Sequence, residues 1–235
     1  MIKHAANFRE LVDTPFTGGI NALCWQRRLS GDFGEIVKLL GPGEGVVALD
    51  EARLRRLALS AKGLEAANTM LADLHLLREA GRDPVLNIIY DYPREDLSAI
   101  GPATAEDPHL FPRDVLSWHV DSAPVEADTW LCTYHGAPSE GLLNENALRK
   151  VDDPVIRALL LALYGGSDDE SFAEWLTENH YDLHFAQRNV RGLPNGYSFG
   201  THNLWRVACA WPESPVLPCV HRAPVTNAPR LLLIS

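Results

Sequence analysis

From Val85 to the C-terminus the chain is a succession of short β-branched and aromatic runs cut by proline and glycine. VLNIIYDYP (85–93), VLSWHVD (115–121), TWLCTYHG (129–136), YDLHFAQ (181–187), YSFGTHNLWRVACAW (197–211), LPCVHRAP (217–224) and RLLLIS (230–235) each read as strand. Strands this short cannot bury an apolar face alone, so they must pair, and many of them joined by tight turns suggest a sandwich or jelly roll. A Pro/Gly-rich loop occupies 101–113. One stretch, 145–179, breaks the pattern with helical periodicity in VIRALLLALY and SFAEWLTEN.

Residues 1–84 read differently. GINALCW (19–25) and GVVALD (45–50) are short strands bounded by glycine, and FGEIVKLL (33–40) is a short helix. Residues 50–82 place leucine and alanine at helical spacing, with Gly63 dividing two helices and Gly81 and Pro84 ending the second. The expectation is one domain over 1–235. It is mainly β, with an N-terminal mixed and helical support (1–84) and a core (85–235) carrying the helical insert at about 145–179. The insert reads either as a helical pair packed outside the core or as a lid over a site.

A net charge of −10 and scattered arginines argue against a nucleic-acid partner. Cys24, Cys132, Cys209 and Cys219 show no C-x-x-C spacing and read as buried free thiols of a cytoplasmic protein. MIKHAANFRE lacks the features of a signal peptide, and ALLLALY (158–164) is too short to span a bilayer.

LSWHVDSAP (116–124) carries His119 and Asp121 two residues apart, hence on one face of a strand with Val120 on the other. An imidazole and a carboxylate so placed supply two of the three ligands of a two-His, one-carboxylate metal site. The pattern alone is weak, since chance supplies roughly 0.6 such pairs in a chain of this composition. NHYDLH (179–184), with His180, Asp182 and His184, is a second example that reads as a surface turn or a structural strand. A third ligand is available in VHRAPVTNAPRLLLI: His221 lies on an apolar strand, and Arg230, nine residues on, opens the last one. A guanidinium there could fork onto the carboxylate of an acid that chelates the same metal. His202 is the reserve third ligand, and His135 points away from the face of its neighbours.

His119-x-Asp121, His221 and Arg230 together resemble the signature of the Fe(II)/2-oxoglutarate-dependent dioxygenases, and LCTYHG (131–136) with Glu140-Gly141-Leu142 resembles the segment that follows it in the prolyl-hydroxylase-like branch. The INALCW, HVD, LCTYHG and HRAP…RLLL segments are also similar to a bacterial family of unknown function. The resemblance covers roughly 85–235. It implies a double-stranded β-helix (jelly-roll) core, with His119, Asp121 and His221 binding Fe(II). It further implies 2-oxoglutarate held by Arg230 and Tyr134, and O2-dependent hydroxylation, desaturation or cyclisation of a small molecule with release of succinate and CO2. Leu232 stands where many relatives carry Ser or Thr, and the insert is uncommon. Two other readings stay open: a non-oxidising metal-binding jelly roll acting as a sensor or Zn-type hydrolase, and an interaction module with structural histidines.

Overall fold

Apolar residues alternate along most of the strand-like runs, and that alternation divides the molecule into layers. The computed structural model describes residues 1–92, 111–188 and 196–235. Twelve strands are present among them: β1 (Ile2–Ala5), β2 (Ala22–Trp25), β3 (Val46–Ala48), β4 (Val85–Ile89), β5 (Asp128–His135), β6 (Glu140–Leu142), β7 (Ala147–Arg149), β8 (Phe185–Gln187), β9 (Tyr197–Ser198), β10 (Leu204–Ala208), β11 (Val220–Arg222) and β12 (Arg230–Ile234). Seven of them form one sheet in the order β1-β2-β10-β5-β12-β4-β3. Three form a second, β11-β6-β9, and β7 pairs with β8. Within the large sheet β1 and β2 are parallel, and every other pair is antiparallel.

This arrangement overturns the double-stranded β-helix. The large sheet is open, with β1 and β3 as its free edges, and the strands divide seven, three and two without closing or curling into a barrel. Three of its seven strands, β1 to β3, come from the first 84 residues, so that region supplies sheet as well as helical support. Strand partnership is decided by which apolar faces meet in space, and the alternation in a single run does not specify its neighbour.

One face of the large sheet carries Leu23, Leu86, Ile88, Trp130, Cys132, Tyr134, Leu231 and Leu233 and is covered by helices. These are α1 (Phe8–Asp13), α2 (Phe33–Leu40), α3 (Glu51–Arg55) and α4 (Ala61–Glu79), which contribute Leu11, Phe33, Ile36, Leu54, Met70, Leu74 and Leu77. The other face, with Ala22, Cys24, Ile89, Leu131, Val207 and Leu232, looks toward the small sheet. Local chemistry sets the helix limits. Asp32 caps α2 by accepting from the Glu35 amide, and Gly41, at φ 72°, ends it in a conformation that costs other residues a steric clash. Gly63 does not divide two helices. The break falls between Arg56 and Ser60, where Ser60 accepts from the Gly63 amide to start α4. A Cβ on Gly63 would collide with the Glu35 carboxylate, which receives both the amide and the hydroxyl of Ser60.

Two other segments depart from the sequence pattern. Residues 115–121 make no extended strand: Asp114 accepts from the amides of Leu116 and Ser117, diverting donors that a ladder would use. Only single bridges at His119 and Ser122 remain. The stretch 145–179 is not wholly helical. It holds β7 and two short 3-10 turns ahead of α5 (Pro154–Tyr164) and α6 (Glu170–Glu178). Asp153 and Asp169 cap the two helices, which bury Leu160, Phe172 and Leu176 against Phe111 and Tyr181 in a cluster of their own. Most of the loop expected at 101–113 lies outside the described residues.

Candidate metal centre

His119 sits at a junction between three segments. Its amide and carbonyl exchange hydrogen bonds with His221 of β11, and on its other side it bridges His184. Directly opposed residues point to the same face, so the register sets His119 and His221 side by side, and both line a cavity against Leu131 and Leu232 of the large sheet. Their neighbours Trp118, Val120, Leu183, Phe185 and Val220 pack together on the opposite face. Two residues along, Asp121 is held by its carbonyl accepting from the Ala210 amide at 2.7 Å.

The structure brings His119, Asp121 and His221 together. One ligand atom from each lies within 4.8 Å of the others, and among the described residues this is the group of acidic, histidine or cysteine side chains able to hold a metal ion. Nε2 of His119 is 3.9 Å from one Asp121 oxygen, and Nε2 of His221 is 3.6 Å from the other. The ring centroids are 4.7 Å apart. Each imidazole turns its Nδ1 to a backbone carbonyl two residues back: His119 to Ser117 at 2.7 Å and His221 to Cys219 at 3.2 Å. A carbonyl only accepts, so Nδ1 carries the proton and both Nε2 lone pairs face the carboxylate. That is the tautomer a metal requires. Burial, and then the neighbouring His221, lower the His119 pKa, which keeps its ring neutral and able to ligate.

The group opens into a cavity of about 240 Å3 lined also by Asn87, Ile89, Tyr92, Leu131, Ser139 and Leu232. A second cavity of about 380 Å3 shares Ile89 and Tyr92 with it and is lined by Arg230. Arg230 is 1% exposed. Its guanidinium donates to the Ala137 carbonyl (2.7 Å), the Tyr92 hydroxyl (3.1 Å) and the Ser139 hydroxyl (3.2 Å). Among the described residues no carboxylate pairs with it, and burial pulls its pKa below the usual arginine range.

Tyr134 is elsewhere. Residue parity on β5 sends Thr129, Leu131 and Thr133 toward the cavity and Trp130, Cys132 and Tyr134 into the helical layer. There the Tyr134 hydroxyl donates to Asp73 at 2.6 Å, and the other Asp73 oxygen pairs with Arg27 at 2.7 Å. His202 packs at a tilt against Phe33 in that same layer, and His135 lies against Gly34, so neither joins the triad. In NHYDLH, His180 adopts φ 59°, Asp182 accepts from Thr177, and His184 rests on Phe111 with its pKa pushed to about 4 by burial. These three do not converge, because a 3-10 turn at Tyr181–Leu183 replaces the strand that would have aligned them. The insert 145–179 contributes no residue to the lining of the metal cavity.

Sequence reasoning missed Tyr92, Thr129 and Ser139. The alternation in DTWLCTYH is the signal that could have placed Thr129 beside Leu131 on the cavity face.

The chain matches no protein-family model, no curated protein and no solved structure. The open seven-stranded sheet removes the scaffold on which the dioxygenase assignment rested. With it go the Fe(II)/2-oxoglutarate-dependent hydroxylation, desaturation and cyclisation chemistry and the jelly-roll alternatives. No site for 2-oxoglutarate or O2 stands out among the described residues. What remains is a group of side chains able to coordinate a metal ion. No helix among the described residues is long and apolar enough to cross a membrane.

Proposed function

We propose that this protein binds a single divalent first-row metal ion through His119, Asp121 and His221, and holds a small carboxylic acid between that ion and Arg230. The observation carrying the metal reading is the convergence of two Nε2 atoms and a carboxylate within 4.8 Å, with both Nδ1 atoms committed to carbonyls. Two imidazoles and one carboxylate suit Fe(II), for which such a set with open positions is well attested, and they also accept Zn(II) or Co(II). The bound ion supplies Lewis acidity and open coordination positions facing the cavity. Arg230 supports the second half of the reading. A fully buried guanidinium that meets no carboxylate among the described residues is costly, and an anion in the adjoining cavities would complete it. Tyr92 and Ser139 orient that guanidinium and line the metal cavity, so they join the two parts. A reducing compartment such as the cytoplasm suits the four buried free thiols.

The test is calorimetric titration of the purified protein with Co(II), Zn(II) and, anaerobically, Fe(II), followed by titration of the loaded protein with dicarboxylic acids of graded chain length. One ion per chain, and acid binding that depends on the ion, are expected. Failure of all three ions to bind would overturn the metal reading. Metal binding without affinity for any of the acids would overturn the role of Arg230.

A further inference from the structure

The carboxylate of Asp121 accepts a hydrogen bond from Thr129, and that bond bears on how it ligates. Thr129 of β5 directs its hydroxyl at Asp121 Oδ2, 2.5 Å away. The same hydroxyl lies 3.3 Å from the Cys209 thiol. Proton bookkeeping orders the chain. A carboxylate can only accept, so the Thr129 proton goes to Asp121 and the Thr129 oxygen must accept from the Cys209 S–H. Burial pushes the Cys209 thiol up to about 11, which keeps that proton in place. The next residue, Ala210, donates its amide to the Asp121 carbonyl and accepts from the Ala123 amide, so the segment leaving β10 clamps the Asp121 backbone as well. The register that pairs Val207 with Thr129 puts Cys209 on the cavity side of β10, within reach of that hydroxyl.

We infer that Thr129 is a positioning residue that makes Asp121 a one-oxygen ligand: its hydrogen bond takes one lone pair of Oδ2 and draws on that oxygen's charge, so Oδ1 is the stronger donor to the ion and a further coordination position stays open to an exogenous ligand. This inference rests on the metal reading above. His119 and His221 are each oriented by a carbonyl at Nδ1; among the described residues no backbone group meets the Asp121 side chain, and Thr129 supplies the equivalent support. Hydrogen-bond partners of this kind fix ligand geometry, and losing one costs 10- to 100-fold in metal affinity by general experience. Thr129 is 7% exposed and sits inside a paired strand, so a valine of nearly the same shape fits the space without the proton.

The experiment compares wild type, Thr129→Val and Thr129→Ser by Co(II) titration, by crystal structures of the Co(II) forms, and by thermal midpoints without metal. Co(II) binding roughly 10- to 100-fold weaker in Thr129→Val is expected, with recovery in Thr129→Ser. A single Asp121 oxygen on the ion in wild type and two in Thr129→Val are also expected. If Thr129→Val keeps wild-type affinity, or if Asp121 binds through both oxygens in wild type, the inference is overturned. If the serine variant fails to recover affinity while its metal-free midpoint matches wild type, the hydroxyl is not the cause and the inference likewise falls. Absence of Co(II) binding in wild type would instead overturn the metal reading itself, a separate outcome.

Discussion

The His119 amide donates to the His221 carbonyl at 3.0 Å, and the His221 amide returns the bond to His119 at 2.9 Å. Two residues that exchange both hydrogen bonds are directly opposed, and their side chains leave the backbone on the same face. Residues far apart in the chain are thereby held as one unit, with Asp121 following two positions on. The pairing holds the two imidazoles with their centroids 4.7 Å apart.

Because the site exists in the folded chain and not in the unfolded one, metal should stabilise the fold. At an ion concentration 100 times the dissociation constant, about 2.7 kcal/mol is expected. Scanning calorimetry with and without Co(II) checks this. His119→Ala and His221→Ala should each abolish the metal-induced rise while unfolding cooperatively without metal.

Arg230 should govern acid binding and leave metal binding alone. Lysine lacks the planar fork that reaches Ala137, Tyr92 and Ser139 together. Arg230→Lys is expected to weaken carboxylic-acid binding to the loaded protein at least tenfold, with Co(II) affinity within about twofold of wild type. Equal acid affinities in the two proteins would remove Arg230 from the site.

Tyr134 belongs to the stability of the helical layer. Tyr134→Phe leaves Asp73 Oδ2 without its donor and should cost about 1–3 kcal/mol in urea unfolding. Asp73→Ala strands the Arg27 guanidinium, whose side chain is 7% exposed, and should cost about 3–5 kcal/mol. Neither change should alter Co(II) affinity, and a large change on Tyr134→Phe would return that residue to the site.

The thiols should be silent in the native protein. Burial pushes Cys24, Cys132 and Cys219 up to about 12 and Cys209 to about 11. A raised thiol pKa keeps the unreactive S–H form below that pH, so alkylation at neutral pH requires unfolding. Iodoacetamide labelling followed by mass spectrometry should find no modified cysteine in native protein and four after denaturation. Rapid native labelling would show that the burial is breached in solution.

Several parts of this structure were legible in the chain. FGEIVKLL, flanked by Asp32 and Gly41, forms α2 over the residues expected, and RLLLIS alternates faces as a strand must. The spacing of His119 and Asp121 put both on one side of the backbone, and an apolar run carried His221. Other parts were not legible. VLSWHVD has strand composition, yet Asp114 takes two of the amides it would have used. Tyr134 stands beside cavity-facing Thr133, but residue parity turns it to the other layer.

The sequence by itself determined local periodicity, where the long helix stops and which side chains were chemically able to hold a metal, because each depends on residue type or on residues a few positions apart. Only the tertiary structure decided that β5 lies between β10 and β12 and that the sheet stays open. It alone brought Thr129 to Asp121 and left Arg230 buried without a carboxylate among the described residues. Strand order and register arise from faces meeting across long loops, and the free energy of that meeting belongs to pairs of segments and cannot be read from one segment alone.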